Sequence, residues 1–197
     1  MEIKVTIKGL TPLLMNRFTE QAEIDVSSGT RVSIKSKNGS PREEAAAKCY
    51  KESDGNLFIP GTNIFAALVA AGTFHKVGKS KLTTLKSSLI PAGIAVIDLV
   101  CPLNTNHWEV DSRSVVIPST GGRIMCHRPR IDDWEASFTI EVDTEMFNEK
   151  TVRILVDDAG KKIGLGDYRP QRKGPFGRFV VKHWEIINSQ PSMAVLS

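Results

Sequence analysis

The chain has 197 residues, 41% of them hydrophobic and 24% charged, with a formal net charge of +4, which suits one globular domain that needs no disulfide or metal staple to hold a core. No apolar run approaches the length of a membrane-spanning helix, and the alternating start MEIKVTIKGL lacks a signal-peptide core, so a cytoplasmic protein without a membrane partner is expected. Cys49, Cys101 and Cys126 are scattered and form no CxxC pair, which argues against a disulfide framework or zinc site and predicts reduced thiols, at least two of them in the core.

Ile3, Val5 and Ile7 alternate with Lys4, Thr6 and Lys8, the pattern of a half-buried strand, and Leu10 to Met15 continues apolar across Pro12. Ile24, Val26, Val32 and Ile34, placed about Ser27-Ser28-Gly29, predict a hairpin within 23–37. Ser40-Pro41-Arg42-Glu43 starts a helix: Ser40 and Glu43 fit a capping box and Pro41 suits the first helical position, with the helix running to about Lys51. Asp54-Gly55 turns the chain into a short strand over 57–59. Pro60-Gly61-Thr62 opens a core helix with Ile64, Phe65, Leu68, Val69 and Gly72 on one face. Residues 78–88 are polar and lysine-rich, a surface loop or short helix, and 93–100 reads as one strand. Residues 114–118 and 123–127 flank Ser119-Thr120-Gly121-Gly122 as a projecting hairpin. Ala136, Phe138, Ile140 and Val142 mark another strand. A helix from about Asn148 carries Val152, Leu155, Val156 and Ala159, with Gly160 and Gly164 as stop signals. A glycine-rich loop over 164–177 leads into a last strand over 178–187 and a frayed tail.

With insertions at about 17–55 and about 102–133 set aside, the order is strand, helix, strand, strand, helix, strand. That predicts one α+β domain over 1–197, a ferredoxin-like (RRM-like) βαββαβ antiparallel sheet with inserted hairpins, whose open face is left for ligands.

Charge is unevenly spread. Lys161, Lys162, Arg169, Arg172, Lys173, Arg178 and Lys182 meet a single acid, Asp167, between positions 161 and 184, and Arg123, His127, Arg128 and Arg130 form a second basic cluster. In the loop GLGDYRPQRKGPFGRF, glycine permits close backbone N–H approach to an anion, Arg169, Arg172, Lys173 and Arg178 can bond phosphate oxygens, and Tyr168 and Phe176 can stack on bases. The alternative is a solvated loop with Phe176 and Phe179 packed inward. No GK[ST] follows, so it is not a Walker loop. In the second cluster, Arg128-Pro129-Arg130 is stiffened by its proline and is expected to point two long donors outward to phosphate; a solubilising hairpin tip is the alternative. Arg17, Arg31, Lys35, Lys37 and Arg42 could extend the same groove.

Leu57-Phe58-Ile59-Pro60-Gly61-Thr62-Asn63-Ile64-Phe65-Ala66-Ala67-Leu68 resembles the Ile-Pro-Gly segment of the RAMP superfamily, especially backbone subunits of CRISPR effector complexes. The stretch from Ala159 through Gly164-Leu165-Gly166 to Gly174-Pro175-Phe176-Gly177-Arg178-Phe179 is similar to that superfamily's terminal glycine-rich motif. The opening Val5 to Leu14, with Leu10-Thr11-Pro12-Leu13, is similar to its first strand and the loop after it. Thr62-Asn63-Ile64-Phe65-Ala66 stands where the family has Ser-Ser-x-Lys-Gly. The resemblance implies a palm with a projecting thumb, a single nucleic-acid strand as ligand, and copies assembled side by side along it, in a CRISPR complex or as a stand-alone or mobile-element relative.

The four histidines, His75, His107, His127 and His183, show no metal spacing, and no serine or cysteine nucleophile arrangement is present. His127 beside Arg128, and Asp25 in the first insertion, are the candidates for RNA cleavage, since RAMP relatives that cut use a histidine or a loop aspartate. The expectation is therefore a largely sequence-independent binder of single-stranded DNA or RNA, with no cofactor or metal. The rivals are a metal-independent endoribonuclease of the same fold and a structural or protein-interaction module.

Overall fold

The computed structural model describes residues 1–19, 23–24, 27–28, 39–116 and 120–187. The chain starts with β1 (Glu2–Gly9), whose Ile3, Val5 and Ile7 are fully buried, and with the two-residue β2 (Leu13–Leu14). Glu23, Ile24 and Ser27 are helical, with the Ser28 N–H donating to Ile24 O, where a strand was expected; the rest of that anticipated hairpin lies outside the described residues. Helix α1 (Pro41–Ala47) carries the expected capping box, with Ser40 Oγ accepting from the Glu43 N–H and Glu43 accepting from the Ser40 N–H. It ends at Ala47 instead of Lys51, because the next residue, Lys48, turns across to the hairpin and donates to His127 O at 2.8 Å.

β3 (Phe58–Pro60) runs directly into α2 (Gly61–Ala71). Gly61 sits against Asp98 O, where a Cβ would lie 1.9 Å away, which explains the glycine at that entry. The buried face of α2 is Ile64, Ala67, Leu68 and Ala71, while Phe65 and Val69 are only half-buried, a rotation from the expected face. The lysine-rich stretch contains the small hairpin β4 (Lys76–Val77) and β5 (Ser80–Lys81). A one-turn α3 (Ile90–Gly93) leads into β6 (Ile94–Val96). The single strand expected over 93–100 is thus two: β6 pairs with one sheet and β7 (Val100–Pro102) with β3. Between them Asp98 Oδ2 accepts the Thr139 N–H at 2.6 Å. A side chain there takes the place of a backbone carbonyl, and the chain turns out of the ladder.

β8 (Glu109–Val116) and β9 (Arg123–Ile131) form a hairpin longer than expected, paired from Glu109↔Arg130 to Val116↔Arg123, and β2 joins its far side. β10 (Glu135–Val142) and α4 (Glu149–Asp158) match the reading, with Asn148 capping α4. One π turn, Ala159–Ile163, continues α4, closed by the Gly164 N–H on Ala159 O. β11 (Phe179–Ile187) ends the described chain.

The main sheet is antiparallel in the order β11-β1-β10-β6. α2 lies on the path from β1 to β6 and α4 connects β10 to β11, and both pack on the face that carries Ile3, Val5, Ile7, Ala136, Phe138 and Ile140. Trp134 closes one end of this core. It is fully buried, its Nε1–H donates to Thr11 O at 3.0 Å, and Gly9 leaves room for its ring. The chain is a mixed α and β protein with antiparallel sheets and four α-helices among the described residues. None of these helices is long and apolar enough to cross a membrane.

All three cysteines are free, with Cys49 and Cys101 buried as expected. Burial pushes the Cys49 thiol up to about 11 and Cys101 up to about 12. A thiol reagent at pH 8 should therefore modify one cysteine, Cys126, in the native protein and all three in urea. Replacing Phe138 with Ala should lower unfolding stability by about 3–5 kcal/mol, read from urea midpoints.

Candidate nucleic-acid interface

The open face of the main sheet is polar and nearly neutralised. Lys8 reaches Asp133 and Glu135 at 3.0 and 3.3 Å, Lys182 reaches both Glu135 oxygens at 2.8 Å, and Thr6 bonds Ser137 at 2.8 Å. The outward residues of β1, β10 and β11 include no phenyl, phenol or indole ring. The sheet face, expected to be left open for ligands, thus carries no ring on which a base could stack, and the loop after the π turn lies at the end of the sheet, against the β1–β2 connection and the hairpin.

Backbone bonds stitch that loop down. The Gly177 N–H donates to Pro12 O, Asp167 N–H to Leu14 O, Leu165 N–H to Gly177 O and Gly174 N–H to Arg169 O, at 2.8–3.0 Å. Gly177 has φ +70°, and a Cβ there would stand 1.8 Å from Leu165 O. The glycines therefore serve close packing of one backbone on another. The N–H groups of Leu165, Asp167, Gly174 and Gly177, expected to face an anion, are consumed within the protein.

The charged side chains divide into two groups. Arg172, Lys173 and Arg178 are exposed and have no ion-pair partner among the described residues. Arg169 is half-buried, donating through Nη1 to Gly166 O at 2.8 Å and through Nε and Nη2 to Gln171 Oε1 at 3.2 and 2.8 Å. Burial, and then the neighbouring Arg172 charge, hold its pKa below the usual arginine value. Tyr168 is exposed, with its ring 6.0 Å from that of Phe176. Phe176 is buried and carries the Arg113 guanidinium over its face at 4.8 Å, so of the two expected stacking rings only Tyr168 is open to a ligand.

The hairpin cations are largely spent, contrary to the outward donors expected of Arg128-Pro129-Arg130. Arg128 is 9% exposed and its Nε stands 2.7 Å from Asp167 Oδ2. The Nε–H is not aligned for a hydrogen bond, so the contact is Coulombic, and it ties the root of the hairpin to the glycine loop. Arg130 is bidentate to Asp132 at 2.8 and 3.1 Å, and bonding to that carboxylate raises its pKa. Cross-strand pairing sets Glu109 opposite Arg130 and Asp111 opposite Arg128, which balances this face. Arg123 is exposed near the tip, with a long 3.4 Å contact to Ser114. His127 Nδ1 shares a 2.7 Å hydrogen bond with Ser112 Oγ, and its backbone N–H donates to Glu44. Asp25, Arg31, Lys35 and Lys37 lie outside the described residues. Arg42 covers Trp108 at 4.5 Å.

Sequence reasoning missed a cavity of about 220 Å³ between the loop, the chain after β2 and the first turns of α2, lined by Asn16, Tyr50, Asn63, Ala66, Ala67, residues 164–167 and Arg169. The available signal was Asn63, which with Thr62 makes the first turn polar in a helix that is apolar from Ile64 onward. No group of three His, Cys, Asp or Glu side chains among the described residues could hold a metal ion. No family model matches the chain, and no curated protein matches it in sequence.

Gly177→Ala should destabilise the protein more than Gly55→Ala. Both glycines have positive φ, but a Cβ at Gly55 meets nothing within 4 Å, so only about 1–2 kcal/mol of backbone strain applies there. Urea midpoints of the two variants check the difference.

Proposed function

We propose that this chain binds single-stranded nucleic acid through its glycine-rich loop, as a ferredoxin-like domain of the RAMP type acting in the cytoplasm, with copies lining up along the strand. The observation that carries the reading is the gathering of Arg172, Lys173 and Arg178, all unpaired among the described residues, with exposed Tyr168 on one rigidly anchored loop. Cations that already answer an internal acid gain little from a phosphate, whereas these release counterions in full when a polyanion arrives. A neighbouring tyrosine adds a stacking surface that tolerates any base.

Two further observations support it. The strand order β11-β1-β10-β6, with α2 and α4 on the crossovers, agrees with a split βαβ arrangement, and the β8–β9 hairpin suits a thumb. Two of the three segments that carry the RAMP resemblance, far apart in sequence, line the same cavity: Asn63, Ala66 and Ala67 from one, and Gly164 to Asp167 with Arg169 from the other. Binding here rests on phosphate contacts at the rim, not on the sheet face, and it draws little on Arg128 and Arg130.

Fluorescence anisotropy against labelled single- and double-stranded DNA and RNA at several salt concentrations tests the proposal. Single strands should bind at low salt and weaken as salt rises. The Arg172→Ala/Lys173→Ala double variant should reduce the slope of log K against log salt by about 1.4, from roughly 0.7 per lost phosphate contact. Absence of binding at low salt, or an unchanged slope in the double variant, refutes it. Labelled RNA should remain intact throughout.

A further inference from the structure

The stretch after α2 carries charge that the glycine loop does not use. Between Asp54 and Asp98 the chain has four lysines and no acid. Three of them, Lys76, Lys79 and Lys81, lie on the β4–β5 hairpin, and Lys86 follows in the turn closed by the Thr84 N–H on Ser87 O. All four are exposed, and none has an ion-pair partner among the described residues. Lys76 and Lys81 are cross-strand partners, with Lys79 in the two-residue turn between Val77 and Ser80. Like charges set directly opposite each other destabilise a hairpin. Among the described residues no carboxylate relieves this pair, so a bound anion is what would.

The β4–β5 hairpin is held firmly. The Leu82 N–H donates to His75 O and the Leu89 N–H to Leu82 O, both at 2.9 Å. At its root Asp158 Oδ2 meets His75 Nε2 at 2.8 Å and Lys162 Nζ at 2.6 Å, so that carboxylate is engaged within the fold and does not answer the hairpin lysines. Lys162 Nζ also sits over the Phe74 ring at 4.7 Å, and Phe74 is 52% exposed. Lys162 belongs to the π turn that opens the glycine loop. That turn meets Phe74 just past the C-terminal end of α2, and Gly164 to Asp167 share a cavity with Asn63, Ala66 and Ala67 nearer its N-terminus. Turn and loop therefore run along α2 from one end toward the other. From Ala67 to Phe74 is about 10 Å at 1.5 Å per residue, which a strand rising 3.4 Å per nucleotide covers in about three nucleotides.

We propose that the β4–β5 hairpin is a second phosphate-binding surface: Lys76, Lys79 and Lys81 take the backbone of the same single strand a few nucleotides beyond the glycine loop, and Phe74 offers a ring to a base. The proposal rests on the strand-binding reading above and adds the path and length of the footprint. A strand that leaves the loop cations runs beside α2 and ends on lysines that otherwise repel one another.

Fluorescence anisotropy of a labelled single strand of about fifteen nucleotides, within the range that one small binding domain covers, gives the salt slope of log K for the wild-type chain and three variants. Lys76→Ala/Lys79→Ala/Lys81→Ala should lower the slope by about 2, from roughly 0.7 per lost phosphate contact. Lys4→Ala/Lys51→Ala/Lys150→Ala removes as many exposed lysines elsewhere and should leave the slope unchanged. Lys81→Glu puts an acid opposite Lys76, so it should weaken strand binding while holding or raising the urea midpoint, which a purely structural role for Lys81 would lower. Equal slopes for the wild type and the first triple variant, or an equal fall in both triple variants, overturn the second surface and leave the loop reading standing. So does binding to phosphatidylserine-containing vesicles that the first triple variant abolishes without altering the strand slope, since the lysines then serve a lipid surface. A wild-type chain that binds no single strand at low salt overturns strand binding itself, and the second surface with it.

Discussion

The close approach of two backbones at Gly177 underlies the site. Its N–H reaches Pro12 O and its carbonyl receives the Leu165 N–H, so one residue joins the β1–β2 connection, the start of the loop and the approach to β11. Any side chain there would collide with Leu165 O. Once this junction forms, Asp167 meets Leu14 and Arg128, Arg169 folds back on Gly166 O, and the positions from Tyr168 to Lys173 are held out from the body of the protein. The loop is presented by a scaffold, not left to find a shape of its own, and that lowers the entropy lost when a ligand is bound.

Electrostatics then sorts the arginines into two roles. Arg128 and Arg130 face carboxylates at 2.7 and 2.8 Å and act within the fold, since moving either toward a ligand would strand its acid. Arg113 spans both roles, bonded to buried Asp111 while covering the Phe176 ring. Within the glycine loop and the hairpin, the cations without an ion-pair partner among the described residues are Arg172, Lys173 and Arg178 and, near the hairpin tip, Arg123. A net charge of +4 thus says less than which cations lack an internal partner, because an ion pair already formed contributes little to attracting a polyanion.

The site also differs in kind from an open-sheet platform. With Lys8, Glu135 and Lys182 locked in a chain of ion pairs across the sheet, the flat face resembles an ordinary solvated surface. The usable chemistry lies at the seam between sheet end, hairpin and α2, where three segments distant in sequence converge. Seams of this kind collect cavities because side chains from separate elements rarely fill the space between them completely.

Local patterning made several features readable from residues alone. The alternation of Ile3, Val5 and Ile7, the Ser40–Glu43 capping box and the apolar face of α4 each depend on neighbours within a few positions, and each appears as expected. So did the glycine-rich loop as a distinct unit, since its glycines and prolines leave room for no more than the single 3₁₀ turn at Pro170–Arg172. Partnerships across the chain were not readable. Asp98 breaks a strand by bonding Thr139, Asp167 claims Arg128, Phe176 turns inward under Arg113, and Asn16 and Asn63 come together across the cavity. Charge pairing and cavity shape depend on distances between residues that are remote along the backbone. Those distances exist only after the sheet, the hairpin and α2 have packed.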